Sequence, residues 1–292
     1  MVEKKINSLL SRKDIFLPNP KKVGDFLNNY ILEDTIFVFD FDGTLTKKGE
    51  HSSFMPVNLP TNVNPEFYEY KKVINKYYQK IEFSHSFEEI IDDLDYKDKL
   101  LAKSGLSYES FKHLMMEKWF KEVMDLGLLL KNDLSNIDYS KVHFRENASD
   151  VLNNLKNKNA EILIVSAGIK NFITGYFDFH KVVNGIKIIG NEFMLDNLGI
   201  VNDYNKEIIT TFTKHNIDYK KHGIPEKKFA MQFGDTIGDS NIVAKHFHRD
   251  NLLNIGFLNG DIDSLDQFSN KFDIVLKNKE SGLDFLGEII DL

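Results

Sequence analysis

Cysteine is absent from the 292-residue sequence. That removes disulfides, thiolate metal ligands and cysteine nucleophiles, and a fold built this way needs no oxidising compartment. An excess of basic residues is missing too: 37 Lys and Arg stand against 44 Asp and Glu, a formal net charge of −7. Neither nucleic acid nor an anionic membrane surface is therefore the expected partner, although a small phosphorylated ligand needs only a local positive site. No apolar run approaches the roughly 20 residues of a membrane span. The segment Met1–Asp14 also lacks the apolar centre of a signal peptide, so a cytoplasmic protein is expected. Neither a Walker A loop nor G-x-G-x-x-G occurs, and no internal repeat or low-complexity tract is visible.

Apolar residues make up 42% of the chain, enough for a core of one large domain or two smaller ones. Short β-type runs recur at Ile36–Phe41, Glu161–Ser166, Lys228–Phe233, Leu252–Phe257 and Phe272–Leu276. Several are almost continuously apolar ("TIFVF", "EILIV", "FDIVL"), the pattern of parallel strands covered on both faces. Helix-like stretches at Ala148–Lys158, Lys206–His215, Ser240–Phe247 and Ile262–Ser269 alternate with them. The pattern predicts a doubly wound α/β core with a Rossmann-like parallel sheet.

The interval from about Pro65 to Leu130 carries apolar residues at three- and four-residue spacing and no clear strand. It is predicted to be a helical insertion folded over the sheet edge. In Gly185–Val201 the tetrad "DNLG" separates two apolar runs and predicts a hairpin leaving the sheet. The first 30 residues read as two short amphipathic helices broken at "PNP".

The chemistry concentrates in three places. In "FVFDFDGTLTKKG", Asp40 and Asp42 are two apart, so in a strand they share one side while Phe37, Phe39 and Phe41 share the other. Ligands of open α/β sheets bind beyond the carboxyl ends of strands, where this pair falls. Two such carboxylates repel unless a cation or a shared proton is present; a plain Asp-Gly turn is the competing reading. In "FGDTIGDSN", Asp235 follows an apolar strand and Asp239 opens the next element, where it could equally be an ordinary helix cap. If the two strands are neighbours, Asp40, Asp42 and Asp235 converge, and oxygen ligands of that kind suit Mg²⁺. In "ILIVSAGIKNF" a strand runs into Ser166, followed by Ala167 and Gly168, a combination that offers an anion a hydroxyl and free backbone N–H groups, or else a plain N-cap. Lys206, Lys170 and Lys214 are the candidate cations to complete a phosphate site. The stripe Met116, Phe120 and Met124 reads as core.

These motifs, D-x-D-G-T, then S-A-G after a strand, then G-D-x-x-G-D, resemble in their order the haloacid dehalogenase superfamily of phosphohydrolases. Beyond them, "NPKKV", "KYYQKIE", "MMEKWF" with "GLLL", "FTKH", "NIGFLN" and "FDIVLKNKES" resemble the cytosolic pyrimidine 5'-nucleotidase (type III) family over nearly the whole chain. The resemblance implies a core formed by residues 1–47 and 145–292, with residues 48–144 as an inserted helical-bundle cap that selects the substrate. It implies Asp40 as nucleophile and Asp42 as acid and base. Mg²⁺ would be held by Asp40, Asp235 and the Asp42 backbone, with Asp239 in support. Ser166 and Ala167 would hold the phosphoryl group and Glu82 the nucleobase. For the phosphate-binding lysine it points to Lys206, although "YNKE" places Asn205 at the family register and the lysine one residue later. Gly43 follows Asp42 as in the wider superfamily, where this family often has a bulkier residue.

The expected activity is hydrolysis of nucleoside 5'-monophosphates, most readily pyrimidine ones. A phosphatase of another small phosphoester such as phosphoserine is the enzymatic alternative. A receiver-like or inactive phosphate-binding module is the non-enzymatic one, against which the long insertion and the placing of Asp42 both argue.

Overall fold

The computed structural model describes residues 2–49, 53, 107–129, 134, 137–260 and 262–290. A seven-stranded sheet in the order β1-β9-β8-β7-β2-β3-β4 forms the core. Its strands are β1 (Ile15–Phe16), β2 (Thr35–Phe39), β3 (Glu161–Ile169), β4 (Lys187–Asn191), β7 (Phe229–Gly234), β8 (Leu252–Phe257) and β9 (Ile274–Leu276). All pair in parallel except the edge strand β1, which runs antiparallel to β9. The fold class is thus the expected α/β type.

Every residue of β2 is buried, as its uninterrupted apolar sequence demands of a central parallel strand. Its two faces feed different clusters. Phe37 and Phe39 pack with Met231 and Phe233 on one face, and Ile36 and Val38 pack with Leu163, Val165 and Ala230 on the other. Phe39 lies opposite Phe233 in register, their rings stacked at 4.2 Å. The chain steps from β2 to β3 and β4 in one direction, then crosses to β7, β8 and β9 in the other. The topological switch point therefore falls between β2 and β7, the place where open α/β sheets bind ligands.

The two N-terminal helices are α1 (Val2–Ser11) and α2 (Pro20–Asn29). Proline at the first helical position and Asn19 accepting the Lys22 N–H start α2 where "PNP" breaks the chain. The hairpin also forms: β5 (Phe193–Leu195) pairs with β6 (Val201–Tyr204) outside the main sheet. Of the insertion expected over 48–144, the described residues include a 22-residue helix, α3 (Tyr108–Leu129). It buries Met116 and Phe120 against Ala167, and the Tyr204 hydroxyl donates to Asp125 at 2.5 Å. Met124 is buried as well, so the stripe is core. Glu82 lies outside the described residues.

Two expected helices do not form. Residues 206–213 run irregularly because Asn191 takes both backbone groups of Ile209, at 2.9 and 2.8 Å, and Thr210 and Thr213 bond each other's backbone. Side chains that satisfy the backbone this way compete with helical bonding. Only a single 3₁₀ turn, Lys214–Asn216, follows. Between 237 and 247 there are two short 3₁₀ turns, with the Val243 N–H drawn to Gln232 at 2.7 Å. The other two form: α4 (Ala148–Asn157) before β3, and Ile262–Ser269 as a 3₁₀ turn, Ile262–Ser264, running into a short helix, Leu265–Ser269; α5 (Lys170–Phe179) follows β3.

Candidate active site

At the switch point, Asp40 lies one residue past β2 and its N–H donates to the Phe233 carbonyl at 3.0 Å, which fixes the turn against β7. Asp235 follows β7 in the same way. The two acids are thereby brought together, and carboxylate oxygens of Asp40, Asp235 and Asp239 lie within 4.8 Å of one another. Gly43, at φ +76°, permits this approach: a Cβ there would stand 2.3 Å from an Asp235 oxygen.

Lys214 sits in the middle of the acids, only 4% exposed. Its ammonium bonds Asp40 and, at 3.0 Å, Asp239. The second Asp40 oxygen accepts the Thr44 hydroxyl at 3.2 Å, and the second Asp239 oxygen accepts the Thr236 N–H and hydroxyl at 3.0 and 2.7 Å. Asp239 is thus the third residue of a capping box rather than the cap itself. Asp235 is held by neutral Asn259 at 3.1 Å. Behind it, the buried Arg145 guanidinium donates to Asn259, to the Gly43 and Thr44 carbonyls, and to the carbonyls of Lys279 and Ser281. Five donors meet five acceptors, locking the loop after β2 to the loops after β8 and β9.

Burial pushes the Asp40 carboxyl well above the usual range; Lys214 opposes the shift while Asp239 and Asp235 add to it. Burial also raises Asp42, against bonds from Ser53, and lifts Asp235 to about 6 with help from Asp239. Burial alone would lower Lys214, but Asp239 and Asp40 hold it above its ordinary value. Four acids surrounding one lysine leave negative charge in excess. A set of hard oxygen donors with that surplus fits a divalent cation such as Mg²⁺.

Ser166 is buried in β3, which continues through an irregularity to Ile169 before α5 begins. It is therefore not an N-cap, and its hydroxyl accepts the Gly168 N–H at 2.9 Å. Ala167 lies beside it, covered by Met116 and Phe120 of α3. Lys206 does not join the acids. It is 62% exposed, bonds Asp203 at 2.6 Å and lies over the Tyr204 ring. Lys170 pairs with Glu192.

The family profile described as pyrimidine 5'-nucleotidase (UMPH-1) matches residues 42–292, nearly the whole of this arrangement. The chain belongs to this family. It is accordingly an enzyme, a phosphomonoesterase of the haloacid dehalogenase type. A Caenorhabditis elegans protein named for cytosolic 5'-nucleotidase 3 is 26% identical over 309 residues, covering 98% of this chain and 77% of its own. A Xenopus laevis 7-methylguanosine phosphate-specific 5'-nucleotidase is 26% identical over 190 residues, 61% of this chain and 65% of its own. The crystal structure of cytosolic 5'-nucleotidase IIIB bound to cytidine superposes with a TM-score of 0.72 at 19% identity, covering 98% of this chain and 96% of that one, and so shares the fold. Among the described residues, no helix is long and apolar enough to cross a membrane.

Sequence reasoning weighed Lys214 as one lysine among three, and nothing in "FTKH" marks it as buried. It passed over Thr44, Ser53 and Arg145 altogether. Their roles depend on contacts 101 to 136 residues distant for Arg145 and 11 for Ser53. Asn259 stands in "NIGFLN", a segment that carried the family resemblance without a stated role.

Proposed function

We propose that the protein is a Mg²⁺-dependent 5'-nucleotidase of the cytoplasm. It would hydrolyse nucleoside 5'-monophosphates, pyrimidine ones preferred, through an aspartyl-phosphate on Asp40. The observation that carries this reading is the convergence of Asp40, Asp235 and Asp239 at the ends of β2 and β7, Asp40 and Asp239 bonded to Lys214, in a chain of this family.

In the first step an Asp40 oxygen attacks phosphorus, and the bond to the nucleoside oxygen breaks with its electron pair leaving on that oxygen. Asp42 gives the leaving oxygen a proton. In the second step Asp42 takes a proton from water as the water attacks phosphorus, and the bond to Asp40 breaks to release phosphate. The Ser166 hydroxyl and the Ala167 backbone face the phosphoryl oxygens, and Lys214, in the place first given to Lys206, neutralises their charge. Asp40, Asp235 and the Asp42 carbonyl, supported by Asp239, would hold Mg²⁺. When bound, the ion supplies Lewis-acid stabilisation of the same oxygens.

Residues 48–144 form the cap in this reading, and Glu82 accepts a hydrogen bond from the nucleobase amino group. The family is described by pyrimidine nucleotides and a relative is named for 7-methylguanosine phosphate, so the base is decided by assay. Phosphate release from a panel of nucleoside 5'-monophosphates that includes both classes, with and without Mg²⁺, is the test. Mg²⁺-dependent release lost in Asp40→Asn is expected; no release from any nucleotide would refute the reading.

A further inference from the structure

The carboxyl of Asp42 is held differently from the other three. Among the described residues, the hydrogen bonds recorded on it come from one residue: the Ser53 N–H donates to Oδ1 at 2.9 Å, and the Ser53 hydroxyl bonds Oδ2. Ser53 is fully buried and sits 11 residues further along the chain, at the start of the insertion. Its hydroxyl also fills the space beside the phosphoryl-binding segment: a Cβ on Gly168 would stand 1.6 Å from the Ser53 oxygen and 3.1 Å from the Ser166 oxygen. The absence of a side chain at 168 is thus what admits Ser53 to this position.

The chemistry of the two donors differs. An N–H can only donate, so it orients Oδ1 in the ionised carboxylate. A hydroxyl donates to Oδ2 both when the group is ionised and when Oδ1 carries the proton, so it stays bonded to Oδ2 in both protonation states and leaves the Oδ1 proton to face the leaving oxygen. A group that must give a proton in one half-reaction and take one in the next has to keep one orientation through both.

We propose that Ser53 is a positioning residue that holds the Asp42 carboxyl in line with the leaving oxygen and then with the attacking water. The proposal rests on Asp42 being the acid and base of the reaction.

The test compares Ser53→Ala with the unaltered protein on the nucleoside 5'-monophosphate of the panel that it hydrolyses fastest and on the analogue of that nucleotide with sulfur as the bridging atom. A thiolate leaves without needing a proton, while base, sugar and phosphate stay the same. The expected result is a fall of about 10²-fold in kcat/KM on the oxygen ester, the lower end of what general acid catalysis contributes. On the sulfur ester the fall is less than about threefold, because that ester does not draw on the acid. In an Asp42→Asn background, Ser53→Ala adds no further selective loss.

Equal losses on both esters, or no loss on either, overturn the role of Ser53 and leave the nucleotidase reading intact. Unaltered protein that releases phosphate from no nucleoside 5'-monophosphate of the panel overturns that reading and this one together. A thermal melt of Ser53→Ala within a few degrees of the parent shows that any loss is not one of folding.

Discussion

The two acids that follow β2 and the two that follow β7 have the same side chain and different partners. In each pair one member is bound to Lys214, Asp40 in the first and Asp239 in the second. The other member is held by neutral donors, Asp42 by Ser53 and Asp235 by Asn259. A carboxylate bonded to a buried ammonium is held in place by a charged partner, as the proposed nucleophile and its support require. One held by neutral groups lacks that charged anchor, while burial raises Asp42 and Asp235 as it raises Asp40, whose shift Lys214 opposes. Position in the motif therefore does not fix the partner of each acid.

Breaking the charged half of this division should have the largest effect. Lys214→Ala removes the cation shared by Asp40 and Asp239 and is expected to cost about 10²–10³ in kcat, comparable to loss of an oxyanion donor. It also leaves two buried carboxylates without their partner, a loss of about 3–5 kcal/mol for a broken buried pair. Steady-state rates and denaturant melts read the two effects separately.

Titrating the neutral half gives a smaller effect with a definite sign. Asp235 is raised to about 6, above its unfolded value near 4, so in the metal-free protein its contribution to stability is present at low pH. That contribution is lost as pH rises through about 6. Mg²⁺ needs the ionised carboxylate, so the increase in melting temperature on adding Mg²⁺ should grow over the same window. Scanning fluorimetry with EDTA or Mg²⁺ at stepped pH measures it; a shift that stays flat or shrinks with rising pH contradicts the assignment of Asp235.

The smallest effect is expected outside the division. Lys206→Ala should leave kcat within about twofold and stability within about 0.5 kcal/mol, as for other exposed residues. A large loss of kcat in Lys206→Ala with little in Lys214→Ala would reverse the assignment of the two lysines.

The legible part of this molecule was whatever the local pattern dictates. Continuously apolar runs marked the parallel strands, because a strand buried on both faces has no polar positions. The two acids after "TIFVF" and the one after "KFAMQF" stood at strand exits because loop chemistry has to begin where the core ends. What stayed hidden depends on distant partners. The segment 206–213 has helical spacing, yet Asn191 from β4 captures Ile209 and keeps the segment irregular until Lys214 turns inward. A helix cap was the competing reading of Ser166 because β3 was expected to stop there, whereas pairing with β4 carries it on to Ile169. Arg145 offered no local signal, since all five of its bonds reach the loops after β2, β8 and β9.

The account turns on Asp40 carrying the phosphoryl group, and acid-quenched protein taken during turnover of uridine 5'-monophosphate tests that directly. Borohydride converts an aspartyl-phosphate to homoserine, which peptide mass spectrometry then locates. The account predicts homoserine at position 40 in the unaltered protein and none in Asp40→Asn. Conversion at Asp42 instead, or at no residue while phosphate is being released, would contradict it.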